Sequence, residues 1–81
     1  MSRPSEASYI FGQATDQRQT DLAEQYGKSH AVPSHIFTGR LDWTPEFEVV
    51  LFNIIGDSEK VAAIKQAARR AYLKRRETDD V

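Results

Sequence analysis

Apolar positions are sparse along this chain up to residue 42, dense from Phe47 to Ile55, and regularly spaced from Val61 to Tyr72. The dense run, "FEVVLFNII", is broken only by Glu48 and Asn53. Its β-branched content favours a strand, but its flanks predict a helix. Thr44 suits an N-cap and Pro45 suits the first helical position, where its missing N–H costs nothing. Glu46 and Glu48 fall where negative charge meets the positive end of the helix dipole, and Gly56 ends the run. On a 3.6-residue wheel Phe47, Val50, Leu51 and Ile54 share one face. Val49 and Phe52 point largely the other way, with Ile55 on the flank, so this helix needs cover on two sides.

Residues 58–76 predict a second helix. Asp57 or Ser58 caps it, alanines fill its interior, and its last turn is basic. Val61, Ile64, Ala68, Ala71 and Tyr72 form its buried stripe, and the short Gly56-Asp57-Ser58 joint makes the pair an αα-hairpin. A thinner helix is expected over 15–26, with Thr15 as N-cap, Gly27 as stop and Leu22, Ala23 and Tyr26 as its apolar stripe. Lys28 to Asp42 reads mostly as connection, because Pro33 disfavours helix and pushes Val32 towards extended geometry. Residues 1–14 read as a loosely ordered arm, interrupted by Pro4 and Gly12, in which Tyr9, Ile10 and Phe11 are the side chains able to dock. Residues 77–81 read as an acidic tail. The expected fold is all-α: a three-helix domain over 15–76 with a C-terminal αα-hairpin.

Size sharpens the covering problem. A chain of 81 residues is one domain, and folding buries only about 60% of the surface its unfolded state exposes. Small domains often add disulfides, metals or partner chains. Cysteine is absent, which removes disulfides, thiolate metal sites and thiol nucleophiles. The surplus face of Val49, Phe52 and Ile55 therefore points to a second chain, a homodimer or a larger protein partner.

Charge marks one region. The net charge is −1, yet residues 60–76 hold seven basic side chains and no acid. On the wheel Lys65, Arg69 and Arg76 fall on one flank of the apolar stripe, Arg70 and Lys74 on the other, and Arg75 near the stripe itself. Such clustering suits an acidic patch on a protein, or phosphates of a nucleic acid. Overall basicity is missing, so a protein partner is the leading expectation.

Catalytic chemistry finds little footing. His30 and His35 lie five residues apart with no acid between them, too few ligands for a metal. Ser34, His35 and Asp42 are the residue types of a hydrolase triad, but no GxSxG turn accompanies them. The four glycines are scattered near element boundaries rather than gathered into a phosphate loop. Neither a signal peptide nor a run of about 20 apolar residues is present, so the chain reads as a soluble cytoplasmic protein without membrane contact. The terminal "TDDV" suits, at most, capture of its carboxylate in a strand-addition groove.

The expectation is a small non-enzymatic regulator or inhibitor, without cofactor or metal, that occludes a surface of a larger partner. Regulators of this size and composition are common in bacteriophages and mobile elements. The candidate charged contacts are Arg69, Arg70, Lys74 and Arg76. The candidate apolar contacts are Val49, Phe52, Ile55 and Tyr72. The alternative is a nucleic-acid-binding module using helix 58–76.

Overall fold

The computed structural model describes residues 5–79, which form five helices and no strand: α1 Glu6–Ala14, α2 Gln19–Tyr26, α3 Ala31–Phe37, α4 Pro45–Ile55 and α5 Ser58–Asp79. The apolar run is the helix its flanks predict. The Thr44 hydroxyl oxygen accepts the Phe47 N–H at 3.1 Å, and Pro45 occupies the first turn. Asp57 opens α5, with Oδ1 accepting the N–H groups of Glu59 and Lys60 at 3.0 and 3.3 Å. Only Gly56 and Asp57 separate the two helices, which form the expected αα-hairpin.

The core is a cluster of aromatic rings closed by small aliphatic side chains. Tyr26, Phe37 and Trp43 meet the Phe47 ring edge-on at centroid distances of 5.4, 5.5 and 5.1 Å. Phe11 lies 5.4 Å from Phe37. Each of α1 to α4 therefore delivers one ring, and Trp43 comes from the α3–α4 connection. Edge-to-face pairs of this kind add to the gain from burial alone. From α5 come Val61, Ile64, Ala67 and Ala68, all buried. Its small side chains let α1 lie close, with Ala7 and Phe11 turned inward.

Three segments differ from the sequence expectation. The arm expected over 1–14 divides: residues 1–4 lie outside the described residues, whereas Glu6–Ala14 is a helix packed on α5. Ser5 caps it, its Oγ accepting the Ser8 N–H at 3.1 Å. Ala7, Ile10 and Phe11 recur at helical spacing, and Gly12 falls on the exposed side. Thr15 consequently ends α1 instead of opening α2; its N–H donates to the Phe11 carbonyl and its Oγ1 accepts the Gln17 N–H. Helix α2 starts at Gln19, where the Asp21 carboxylate accepts the Arg18 N–H at 3.0 Å.

The connection expected over Lys28 to Asp42 contains α3. Pro33 is its third residue, inside the first turn, where backbone N–H groups lack helical acceptors in any case. Pro33, Ile36 and Phe37 are buried, so packing sustains a helix too short to be stable alone. At the other end, Glu77–Asp79 continues α5 beyond the expected limit at 76. Residues 80–81, and with them the terminal carboxylate, lie outside the described residues.

Candidate protein-binding groove

Helix α4 divides as its wheel predicts. Phe47 and Leu51 are fully buried, Val50 and Ile54 are half-buried against the core, while Val49 and Phe52 are 60% and 48% exposed. Ile55 departs from the expected surplus face and packs against the core. The uncovered strip is thus Val49 and Phe52, one turn apart. Across from them stand Val61 and Ala62 of α5. These four side chains, with Ser58, Glu48 and Lys65 at the rim, enclose a groove of about 340 Å³.

The rim is held by a three-way contact. Glu48 Oε1 accepts from Lys65 Nζ at 2.9 Å and from Trp43 Nε1 at 3.1 Å. Hydrogen bonds from Lys65 and Trp43 favour the charged carboxylate and draw the Glu48 pKa below its ordinary value. One oxygen therefore ties α4 to both α5 and the α3–α4 connection. Sequence reasoning gave these residues no joint role. Glu48 and Lys65 do sit at nearly equal distances from the Gly56-Asp57 joint, which is the signal that pairs them across a hairpin.

The groove continues along α5. Trp43, Pro45 and Val49 face Lys65 and Arg69 over a further depression of about 330 Å³. Beyond it Asp42, Arg69, Tyr72, Leu73 and Arg76 line a smaller one of about 110 Å³. Adjacent depressions share lining residues, Lys65 between the first two and Arg69 between the last two. Their floor changes from apolar near Val61 to cationic near Arg76.

The candidate charged residues separate onto two sides. Arg69 lies in the groove, exposed, and has no hydrogen-bond or ion-pair partner among the described residues. Arg76 lies further along, with its guanidinium carbon 5.7 Å from the Tyr72 ring centroid and Nη1 donating to the Tyr72 hydroxyl at 3.3 Å. Arg70 faces the other way, paired with Glu6 of α1 at 2.9 Å. Lys74 is exposed one turn beyond Arg70, on that same flank. Arg75 falls between the flanks, as its place near the apolar stripe predicts, and donates to the Thr38 carbonyl at 2.7 Å. Tyr72 is half-buried; it lines the cationic end and does not join Val49 and Phe52.

The remaining candidates stay apart. Among the described residues no hydrogen bond joins Ser34, His35 and Asp42; the Asp42 carboxylate accepts the Trp43 N–H instead. No group of three His, Asp or Glu among them is arranged to hold a metal ion. No helix among them is long and apolar enough to cross a membrane. Compared with protein families, curated proteins and solved structures, the chain matches none.

Proposed function

We propose that this chain is a non-enzymatic protein-binding module that docks through the α4–α5 groove and regulates a larger partner by occluding part of its surface. The observation that carries this reading is the exposure of Val49 and Phe52 beside Val61 and Ala62. Every other aromatic ring of the α2–α4 region is at least half-buried, whereas Phe52 is turned outward over an apolar groove. A half-exposed aromatic set in an apolar hollow with a charged rim has the anatomy of an interface centre. The polar lining is Ser58 and the Glu48–Lys65 pair, and among the described residues no hydrogen bond activates the Ser58 hydroxyl.

The alternative, a basic helix that tracks phosphates, is less well supported. Lys65 is paired with Glu48, Arg70 with Glu6, and Arg75 is spent on the Thr38 carbonyl. Arg69 and Arg70 face opposite flanks, so the basic side chains are divided between two sides of the helix instead of forming the single cationic surface that phosphate binding rewards.

A photo-crosslinking amino acid replacing Phe52, introduced in the native host, tests this reading. An adduct of one defined mass is expected at that position, with none when the crosslinker replaces Tyr9, the exposed aromatic of α1. Absence of an adduct at Phe52, or equal adducts at both positions, contradicts it.

A further inference from the structure

Eight α5 residues line the groove, and six of them keep a regular spacing, with Val61 and Leu73 beside them. Ser58, Ala62, Lys65, Arg69, Tyr72 and Arg76 follow one another at steps of four, three, four, three and four. Such steps average 3.6 residues, one helical turn, so the six side chains form one seam. At a rise of about 1.5 Å per residue the seam runs about 27 Å. None of the six is buried. A seam with this period is the surface on which another helix packs at a shallow crossing angle.

Its chemistry says which helix. At the Ser58 end, Ala62 stands with Val61, Val49 and Phe52 in the apolar part of the groove. Further along come Lys65, Arg69 and Arg76. Glu48 neutralises Lys65, whereas Arg69 has no partner among the described residues. A second copy of the chain suits this seam poorly. Laid parallel, it sets Arg69 against Arg69 and Arg76 against Arg76; laid antiparallel, it sets Arg69 against the neutral Glu48–Lys65 pair and supplies no net opposite charge. Like charges brought together in this way oppose association, and opposite charges favour it.

We propose that the seam takes a helical segment of an acidic partner protein. Apolar residues of that segment seat on Val49, Phe52 and Ala62. One carboxylate, seven residues further on, meets Arg69, and a second, seven beyond that, lies at Arg76. The step of seven follows from the intervals Ala62 to Arg69 and Arg69 to Arg76, and holds for either direction of the bound helix. This inference rests on the reading of the groove as a protein-binding site and adds the conformation, charge and register of what enters it.

The test is selection from a displayed library of helix-forming peptides on the intact protein. The library carries a fixed apolar pair and randomises the positions on both sides of it among Glu, Gln and Lys. Glu is expected to be enriched at the seventh and fourteenth positions to one side of the pair. Selection on the Arg69→Glu variant is expected to lose that enrichment at the seventh position. Replacing the selected Glu by Gln at the seventh position is expected to weaken binding about two- to five-fold. Amide shifts of the intact protein locate each selected peptide. Peptides that bind in the groove without a preference for Glu overturn this inference and leave the groove reading standing. Peptides whose shifts map away from Val49, Phe52 and Arg69 overturn both. A concentration-dependent dimer that protects Val49 and Arg69 gives the seam to a second copy, and salt-sensitive DNA binding abolished by Arg69→Glu gives it to a nucleic acid. Either result overturns the acidic helix.

Discussion

Gly39 lies directly against the backbone of Ala71: a side-chain carbon at position 39 would come within 2.5 Å of the Ala71 carbonyl carbon. The obstacle is main chain, which cannot swing aside. Gly39 also has φ +86, where a β-carbon is strained in its own right. This approach presses the end of α3 onto α5 and brings the Thr38 carbonyl within reach of Arg75. Gly39→Ala is expected to destabilise the fold by roughly 2–4 kcal/mol, from overpacking and backbone strain together. Gly27, with φ +76 but open space around it, isolates the backbone part. Gly27→Ala is expected to cost only about 1–2 kcal/mol. Urea midpoints of the two variants check the difference.

Phe47 and Phe52 sit five residues apart on α4 and have opposite roles. Phe47 is fully buried among Tyr26, Phe37 and Trp43. Phe47→Ala is expected to cost about 3–5 kcal/mol, close to the whole stability of a small domain, and to abolish the cooperative thermal transition seen by circular dichroism. Phe52→Ala, at a half-exposed position, is expected to change stability by less than about 1 kcal/mol.

Lowering the pH should loosen the groove's rim. The Glu48 carboxylate is held below the usual range of about 4.3 by hydrogen bonds from Lys65 and Trp43. Folding therefore favours its charged form. The resulting stabilisation is present above the unfolded-state pKa and is lost as pH falls through the lower folded-state value. Denaturant midpoints of the wild type and Glu48→Gln are expected to differ at about pH 6 and to converge as pH falls through the lowered folded-state pKa. A gap that persists unchanged at the low end contradicts this assignment.

The two flanks of α5 should respond differently to charge reversal. Arg70 and Glu6 form an exposed pair, and such pairs contribute at most about 1 kcal/mol. Arg70→Glu is expected to lower stability slightly and leave partner affinity within about two-fold. Arg69→Glu, in the groove, is expected to leave stability unchanged and weaken the complex. Calorimetric titration of both variants against the partner separates these outcomes.

The all-α fold and the uncovered strip of α4 were legible because strong local signals agreed. Thr44-Pro45 before the run and Gly56-Asp57 after it mark a helix, and helical periodicity then sends Val49 and Phe52 away from Phe47 and Leu51. Helix α1 was masked by Pro4 and Gly12, which resemble breakers. Pro4 precedes the Ser5 cap, and Gly12 faces outward, so neither interrupts the packing of Ala7 and Phe11 on α5. Helix α3 was hidden because seven residues with an internal proline have little helical tendency of their own; the burial of Ile36 and Phe37 supplies it. The groove's course along α5 was half visible. The wheel separates Arg69 from Arg70, but only the docking of α1, through Glu6, closes the Arg70 side and leaves the Arg69 side open.

The most direct test of the α4–α5 groove as a docking site is the affinity of the cross-linked partner for the wild type and for Phe52→Ala, measured by calorimetry on the folded proteins. Loss of an aromatic at an interface centre costs about 2 kcal/mol or more, so the dissociation constant is expected to rise about 30-fold or more, with the thermal transition of the variant retained. An unchanged dissociation constant for a fully folded Phe52→Ala contradicts the account.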